Sequence, residues 1–257
     1  MQHQDFHVDW HDYYAIFTIT RSHKKNALSK SVIDGLAACF EQLEENSYRG
    51  LIITGADGIF SAGTDLAEAA TLSMAQSQHK LDTVRALFIR IYQSPITTVA
   101  AIHGIAYGGG LELAMACTFR VASADARLAL PEIKLAVLPT YGGSQFLPAL
   151  VGRAKATELI LTGRAVLVEE ALQIGLINRH CADDVVAEAF ELMTTVTCHS
   201  QVAINLVHQC IDAAQDLTLE QGMAVEAECA KVALASSDAM EGVTAFLEKR
   251  VPNYQHR

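Results

Sequence analysis

Basic residues are scarce. Nineteen Lys and Arg stand against 29 Asp and Glu, a formal charge of −10, which argues against nucleic acid or an anionic membrane as the main partner. A local basic pocket for a phosphorylated ligand is compatible with that balance. No apolar run approaches the roughly 18 residues of a spanning helix. The opening Met-Gln-His-Gln-Asp-Phe-His has no basic stretch ahead of an apolar one, so no secretory signal is expected. Six cysteines, at positions 39, 117, 181, 198, 210 and 229, form no CxxC pair. They read as free thiols of a reducing cytoplasm, and no metal is expected. One Trp and 7% aromatics leave little for the platforms of a sugar site, which weakens a two-carboxylate glycosidase. Five prolines and 16 glycines are dispersed, with no linker and no clean repeat.

What is present is apolar mass. Hydrophobic residues make up 51% of 257, enough for a large buried core and incompatible with a disordered chain. Short strands and helices alternate through the first three-quarters, the pattern of an α/β protein. Ala15–Thr20, Leu51–Thr54, Ile96–Ile102 and Phe119–Ala122 read as strands. Ser29 caps a helix carrying Ile33, Leu36, Phe40 and Leu43 on one face. Leu81, Val84, Phe88 and Ile91 mark a second helix, stopped by Pro95, and Leu111–Cys117 a short third. From about Asp183 the pattern is helical only, with Asp238 and Glu241 as a capping-box variant for the last helix. Met115, Met193 and Met223 read as core fillers. We expect a core over 1–195 and a helical region over 196–257.

Three segments hold too many glycines for mere turns: Phe60–Asp65 (FSAGTD), His103–Glu112 (HGIAYGGGLE) and Leu130–Gln145 (LPEIKLAVLPTYGGSQ). A strand feeding a Gly-rich turn into a helix leaves backbone N–H groups unpaired at the positive end of the helix dipole, able to hold a phosphate or a developing enolate oxygen. GxxxxGK[ST], GxGxxG with its acidic ribose ligand, and GxSxG are all absent. What remains is N–H groups aimed at a carbonyl oxygen. Glu112 follows that turn among Leu111, Leu113, Ala114 and Met115, and an acid in such company is rarely without a task. Glu132, twenty residues on, is again in an apolar setting. Two carboxylates in one low-dielectric pocket tend to share a proton, the state that acid–base chemistry needs. His103 reads as a hydrogen-bonded strand end and Asp65 as a turn former.

Phe60–Leu66, Ala101–Cys117, Leu130–Gln145 and Ala245–Pro252 (AFLEKRVP) together resemble the crotonase, or enoyl-CoA hydratase/isomerase, superfamily, in order and over nearly the whole chain. The resemblance implies a core of stacked ββα spiral turns, a C-terminal helical trimerisation layer, a trimer or dimer of trimers, and an acyl-CoA thioester as substrate with no separate cofactor. It places an oxyanion hole on the backbone N–H groups of Thr64 and Gly109, puts Ala62 and Gly108 among the substrate-binding residues, and has the stretch Ala67–His79 line the pocket. It makes Glu112 the residue that orients and deprotonates water and Glu132 the one that delivers a proton to C2. The CoA arm would pass along Thr64, Asp65, Leu66 and Ala67, near the loop at Lys24. Phe246 and Lys249 match positions that reach the CoA of a neighbouring subunit. Where such hydratases commonly read GxxPGxGG, this chain has Ala136, Thr140 and Tyr141 (AVLPTYGG), side chains that could bind a polar acyl group or shorten the pocket. The expectation is an enoyl-CoA hydratase. The rivals are a Δ3-Δ2 isomerase, a specialised relative acting on a polar or branched acyl group, and a non-catalytic acyl-CoA- or RNA-binding relative.

Overall fold

The computed structural model describes residues 2–256. Contacts divide the chain into two compact units, one running through Met193 and the other from Thr194 on.

The first unit is built on a seven-stranded sheet ordered β1-β2-β3-β4-β5-β7-β10. Its strands are β1 (Gln2–His3), β2 (Phe6–Trp10), β3 (Tyr14–Ile19), β4 (Gly50–Gly55), β5 (Thr97–Ile102), β7 (Phe119–Ser123) and β10 (Arg179–Cys181). The first two pairings are antiparallel and the remaining four parallel. All six residues of β4 and all six of β5 are buried, because a parallel strand between layers has no wet face. Their side chains part by the strand period of two. Leu51, Ile53, Ala100 and Ile102 join the main core with Phe17, Phe40, Phe60 and Phe88. Ile52, Val99 and Ala101 face a smaller cluster completed by Val185, Ala189 and Met193.

A second sheet of β6 (Ile105–Tyr107), β8 (Arg127–Ala129) and β9 (Val166–Leu167) is ordered β6-β8-β9. Bridges from Ser61 to Ala106 and from Leu28 to Thr64 extend it. Each spiral turn thus places a strand in the large sheet, a short extended piece in the small one, and a helix after them. The helices are α1 (Lys30–Glu45), α2 (Leu66–Ala69), α3 (Met74–Tyr92), α4 (Gly109–Ala116), α5 (Gly143–Val151), α6 (Arg153–Thr162) and α7 (Val168–Gln173). Ser29 caps α1 through its hydroxyl, which accepts from the Val32 amide. The helix α3 starts a full two turns before the expected apolar stripe, at a capping box of Ser73 and Gln76. The expected glycine turn over 104–110 contains β6.

α8 (Val185–Thr197) runs across the boundary, and the second unit holds α9 (Gln201–Asp216), α10 (Leu219–Ala235) and α11 (Ser237–Glu248). Two expectations are corrected here. Ser236, not Asp238, caps α11, with its hydroxyl accepting from Ala239 N. Asp238 is buried and accepts from Ser200 Oγ (2.6 Å) and from the amides of Gln255 and His256 (2.7 and 2.9 Å). Met223, expected in the core, is 61% exposed, because α10 turns that face away from its neighbours in the unit. Among the described residues no helix is long and apolar enough to cross a membrane.

Candidate active site

The glycine-rich segments meet side by side. Ser61 N donates to Ile105 O (3.0 Å) and Tyr107 N to Ser61 O (2.9 Å), zipping 60–65 onto β6. On the other edge Leu28 N donates to Gly63 O and Asp65 N to Leu28 O. In such a parallel bridge the residue between, Thr64, turns its own N–H away from the ladder. Gly63 has φ +92°, and a Cβ there would stand 2.5 Å from Tyr107 O and 3.0 Å from Gly109 N. Only glycine lets these two backbones approach so closely. Gly108, at φ +52° and ψ −126°, caps α4, so the Gly109 amide belongs to the first helical turn and has no acceptor within the helix. Thr64 and Gly109 line one cleft of about 290 Å³, together with Ala62, Glu112, Glu132 and Tyr141.

Glu112 reaches this cleft from the first turn of α4, an otherwise apolar helix, and is 1% exposed. Its Oε1 accepts from Tyr141 N (2.7 Å) and Gly143 N (2.8 Å). Burial pushes its carboxyl up to about 7; the Gly143 and Tyr141 amides pull against that, and the negative charge of Glu132 adds to it. A side chain at Gly143 would crowd this contact, since a Cβ would lie 2.8 Å from Pro139 Cβ and 3.1 Å from Glu112 Oε1. Glu132 enters from a 3-10 turn (Glu132–Leu135) after Pro131. Burial raises its carboxyl too, and its Oε2 finds no hydrogen-bond partner among the described residues. Glu112 therefore has one oxygen fixed by amides that favour the anion, while Glu132 keeps a bare oxygen suited to a proton.

Thr140 and Tyr141 lie in the cleft wall. Thr64 Oγ1 donates to the Tyr141 hydroxyl at 3.2 Å, and the buried ring packs edge-on to Phe88 and covers Gly109. Burial raises the Tyr141 phenol, with Thr64 opposing and Glu112 adding. Leu66 lines the cleft and Ala67 does not. Asp65 is engaged in the scaffold: Oδ2 accepts from Arg21 Nη2 (3.0 Å) and Oδ1 from Glu68 N (3.1 Å). Burial works against that carboxyl, but the Glu68 amide and Arg21 guanidinium win and hold it below its usual range. Lys24 is exposed, in a loop tied to the cleft by Ala62 N donating to Lys25 O (2.9 Å). Phe246 and Lys249 lie in the second unit, Phe246 81% exposed and Lys249 in a left-handed C-cap.

Ala69, Leu72 and Ser77 of the stretch expected to line the pocket do line the cleft, whereas sequence reasoning passed over Arg85, Gly143 and Lys80. Arg85 Nε donates to Thr140 O (2.7 Å) and steadies the loop that carries the Tyr141 amide. Gly143 carried a signal, a glycine pair ahead of the apolar run FLPALV. Lys80, one residue past the stretch expected to line the pocket, carried none until α3 is extended back over it. Among the described residues no cluster of three or more His, Cys, Asp or Glu is placed to hold a metal.

The description "Enoyl-CoA hydratase/isomerase" belongs to the family whose pattern matches residues 13–257. A probable enoyl-CoA hydratase of Mycobacterium tuberculosis is 38% identical over 248 residues, 94% of each chain. Human mitochondrial methylglutaconyl-CoA hydratase is 36% identical over 247 residues, 93% of this chain and 73% of that one. The crystal structure of an enoyl-CoA hydratase from Bacillus anthracis superposes with a TM-score of 0.94 at 34% identity, covering 99% of this chain and 100% of that one.

Proposed function

The chain belongs to the enoyl-CoA hydratase/isomerase family, and from that premise we propose that it adds water across the 2,3-double bond of a 2-enoyl-CoA thioester. The observation that carries the reading is the meeting in one cleft of buried Glu112, half-buried Glu132 and the backbone amides of Thr64 and Gly109. The thioester oxygen is received by Thr64 N–H and Gly109 N–H, at the positive end of α4. These donors strengthen as negative charge gathers on that oxygen. Glu112, oriented by Tyr141 N and Gly143 N, takes a proton from water as its oxygen bonds to C3. Glu132 gives its proton to C2 as the enolate collapses, and the pair ends with one proton, as it began. The balance closes on these groups alone, with coenzyme A part of the substrate, so the reading invokes no metal or redox cofactor.

The CoA arm runs along 64–67 beside the loop at Lys24, with Phe246 and Lys249 supplied by a neighbouring subunit of a trimer or dimer of trimers. Free thiols at all six cysteines fit a cytoplasmic setting. An isomerase needs a single carboxylate to carry a proton between C2 and C4, so the second acid favours hydration. The test is crotonyl-CoA: we expect loss of the conjugated-thioester absorbance with the mass gain of one water. A double-bond shift without mass gain, on a 3-enoyl thioester, would replace hydratase by isomerase.

A further inference from the structure

One cation lines the cleft among the described residues, and the reaction proposed above does not use it. Ser77, Lys80 and Leu81 fall on one face of α3 by their spacing of three and four, and all three line the cleft. The Lys80 side chain is only 14% exposed, and its ammonium pairs with Glu68 at 2.9 Å and with neither cleft glutamate. Beyond this wall lies a second cavity of about 520 Å³, lined by Ile33, Glu68, Gln76 and His79 among others. Leu72 and Lys80 line both spaces.

A half-buried ammonium carries a desolvation cost that its partners must offset. Glu68 does not depend on it in return. Its two carboxylate oxygens accept from the Lys30 amide at 3.2 and 3.1 Å, at the first residue of α1, where the helix dipole favours an anion. Glu68 is thus anchored without Lys80. Of the three N–H donors of Lys80, one serves Glu68. With the thioester oxygen at the Thr64 and Gly109 amides and C3 at the glutamates, the acyl group beyond C3 meets a largely apolar wall, Leu66, Leu81, Val137 and Leu138 among others, with Ser77 and Lys80 set into it. A bare hydrocarbon there would bury the ion pair further. A carboxylate would instead take up the spare donors in a charge-assisted hydrogen bond.

Resting on the hydratase reading, we propose that Lys80 receives a carboxylate at the far end of the acyl group, so that the preferred substrate is a 2-enoyl thioester of a short dicarboxylic acid. The test compares kcat/KM for crotonyl-CoA, for glutaconyl-CoA (five carbons, ending in a carboxylate) and for 2-decenoyl-CoA. We expect the unaltered protein to favour glutaconyl-CoA over crotonyl-CoA by at least about tenfold. Lys80→Met should collapse that ratio by about 30-fold or more, chiefly through KM for glutaconyl-CoA. Lys80→Arg, which keeps the charge and a pairing partner for Glu68, should retain most of the preference. Hydration of crotonyl-CoA with a ratio that Lys80→Met leaves untouched overturns the inference and spares the hydratase reading. A preference for 2-decenoyl-CoA overturns it by assigning the second cavity to an apolar tail. Turnover of none of the three removes the hydratase reading and this inference with it.

Discussion

Glu112 shows how a single buried carboxyl can cost stability. Its carboxyl titrates near 4.5 in an unfolded chain and at about 7 in the fold. Between those values the native protein binds the extra proton, so stability falls as pH rises through that window and levels off above it. The upper bound on the cost is roughly 3 kcal/mol. Glu112→Gln retains an oxygen for the Tyr141 and Gly143 amides while removing the charge. We therefore expect its urea midpoint to exceed that of the unaltered protein at pH 8 and to match it near pH 4, and an unchanged difference across pH would refute the assignment. The same variant should lose at least about two orders of magnitude in kcat with crotonyl-CoA. The acid limb of kcat/KM for the unaltered protein should fall with an apparent pKa near 7, a value that belongs to the Glu112–Glu132 pair and not to one residue. A rate flat from pH 5 to 8 would contradict a base that must ionise. Both glutamates were legible in the sequence because their neighbours are apolar. Arg85 and Lys80 were not, because their importance lies in a carbonyl 55 residues away and in a cavity wall, neither of which leaves a local pattern.

At the scale of elements, local signals were read well where capping and burial agreed. α1 begins at Ser29 as its cap and apolar face imply, and the central strands declare themselves by continuous apolar residues. α3 hid its first turns because its buried residues begin only at Val84. α5 escaped the sequence reading, and Pro148 stands inside it, past the first turn where a proline costs no ladder hydrogen bond. The glycines of the turn before α4 were legible as a device but not individually. Gly108 is the sharpest case: beyond its positive φ, a Cβ would come within 3.0 Å of Glu132 Oε1. Gly108→Ala should cost about 1–3 kcal/mol of stability and displace the acid, lowering kcat by about tenfold or more. Gly58 provides the contrast, with φ +72° and open space around its would-be Cβ. Gly58→Ala should show a smaller loss in chemical denaturation with kcat for crotonyl-CoA intact. Equal losses of kcat in the two variants would show that backbone strain, not the contact with Glu132, governs the first.

For the molecule as a whole, the second unit poses the question of what its apolar surface is for. Met240, Val243 and Leu247 recur along α11 at helical spacing, each more than half exposed, with Phe246 beside them. Leu219 and Met223 repeat the pattern on α10. Apolar exposure on this scale is unusual for a monomer, and the proposed trimer would cover it. The sequence hinted at this through its helix-only last quarter, but periodicity cannot distinguish a face that packs within the unit from one left bare, as Met223 demonstrates. We expect light scattering to give the mass of three chains or a multiple, and Met240→Glu with Val243→Glu to lower it. If Lys249 then reaches CoA bound by a neighbour, Lys249→Ala should raise KM for crotonyl-CoA by more than it lowers kcat, and the interface variant should raise KM as well, though its cleft residues are all in place. A monomeric protein of undiminished affinity would confine the whole CoA site to one chain and leave the apolar face to some other partner.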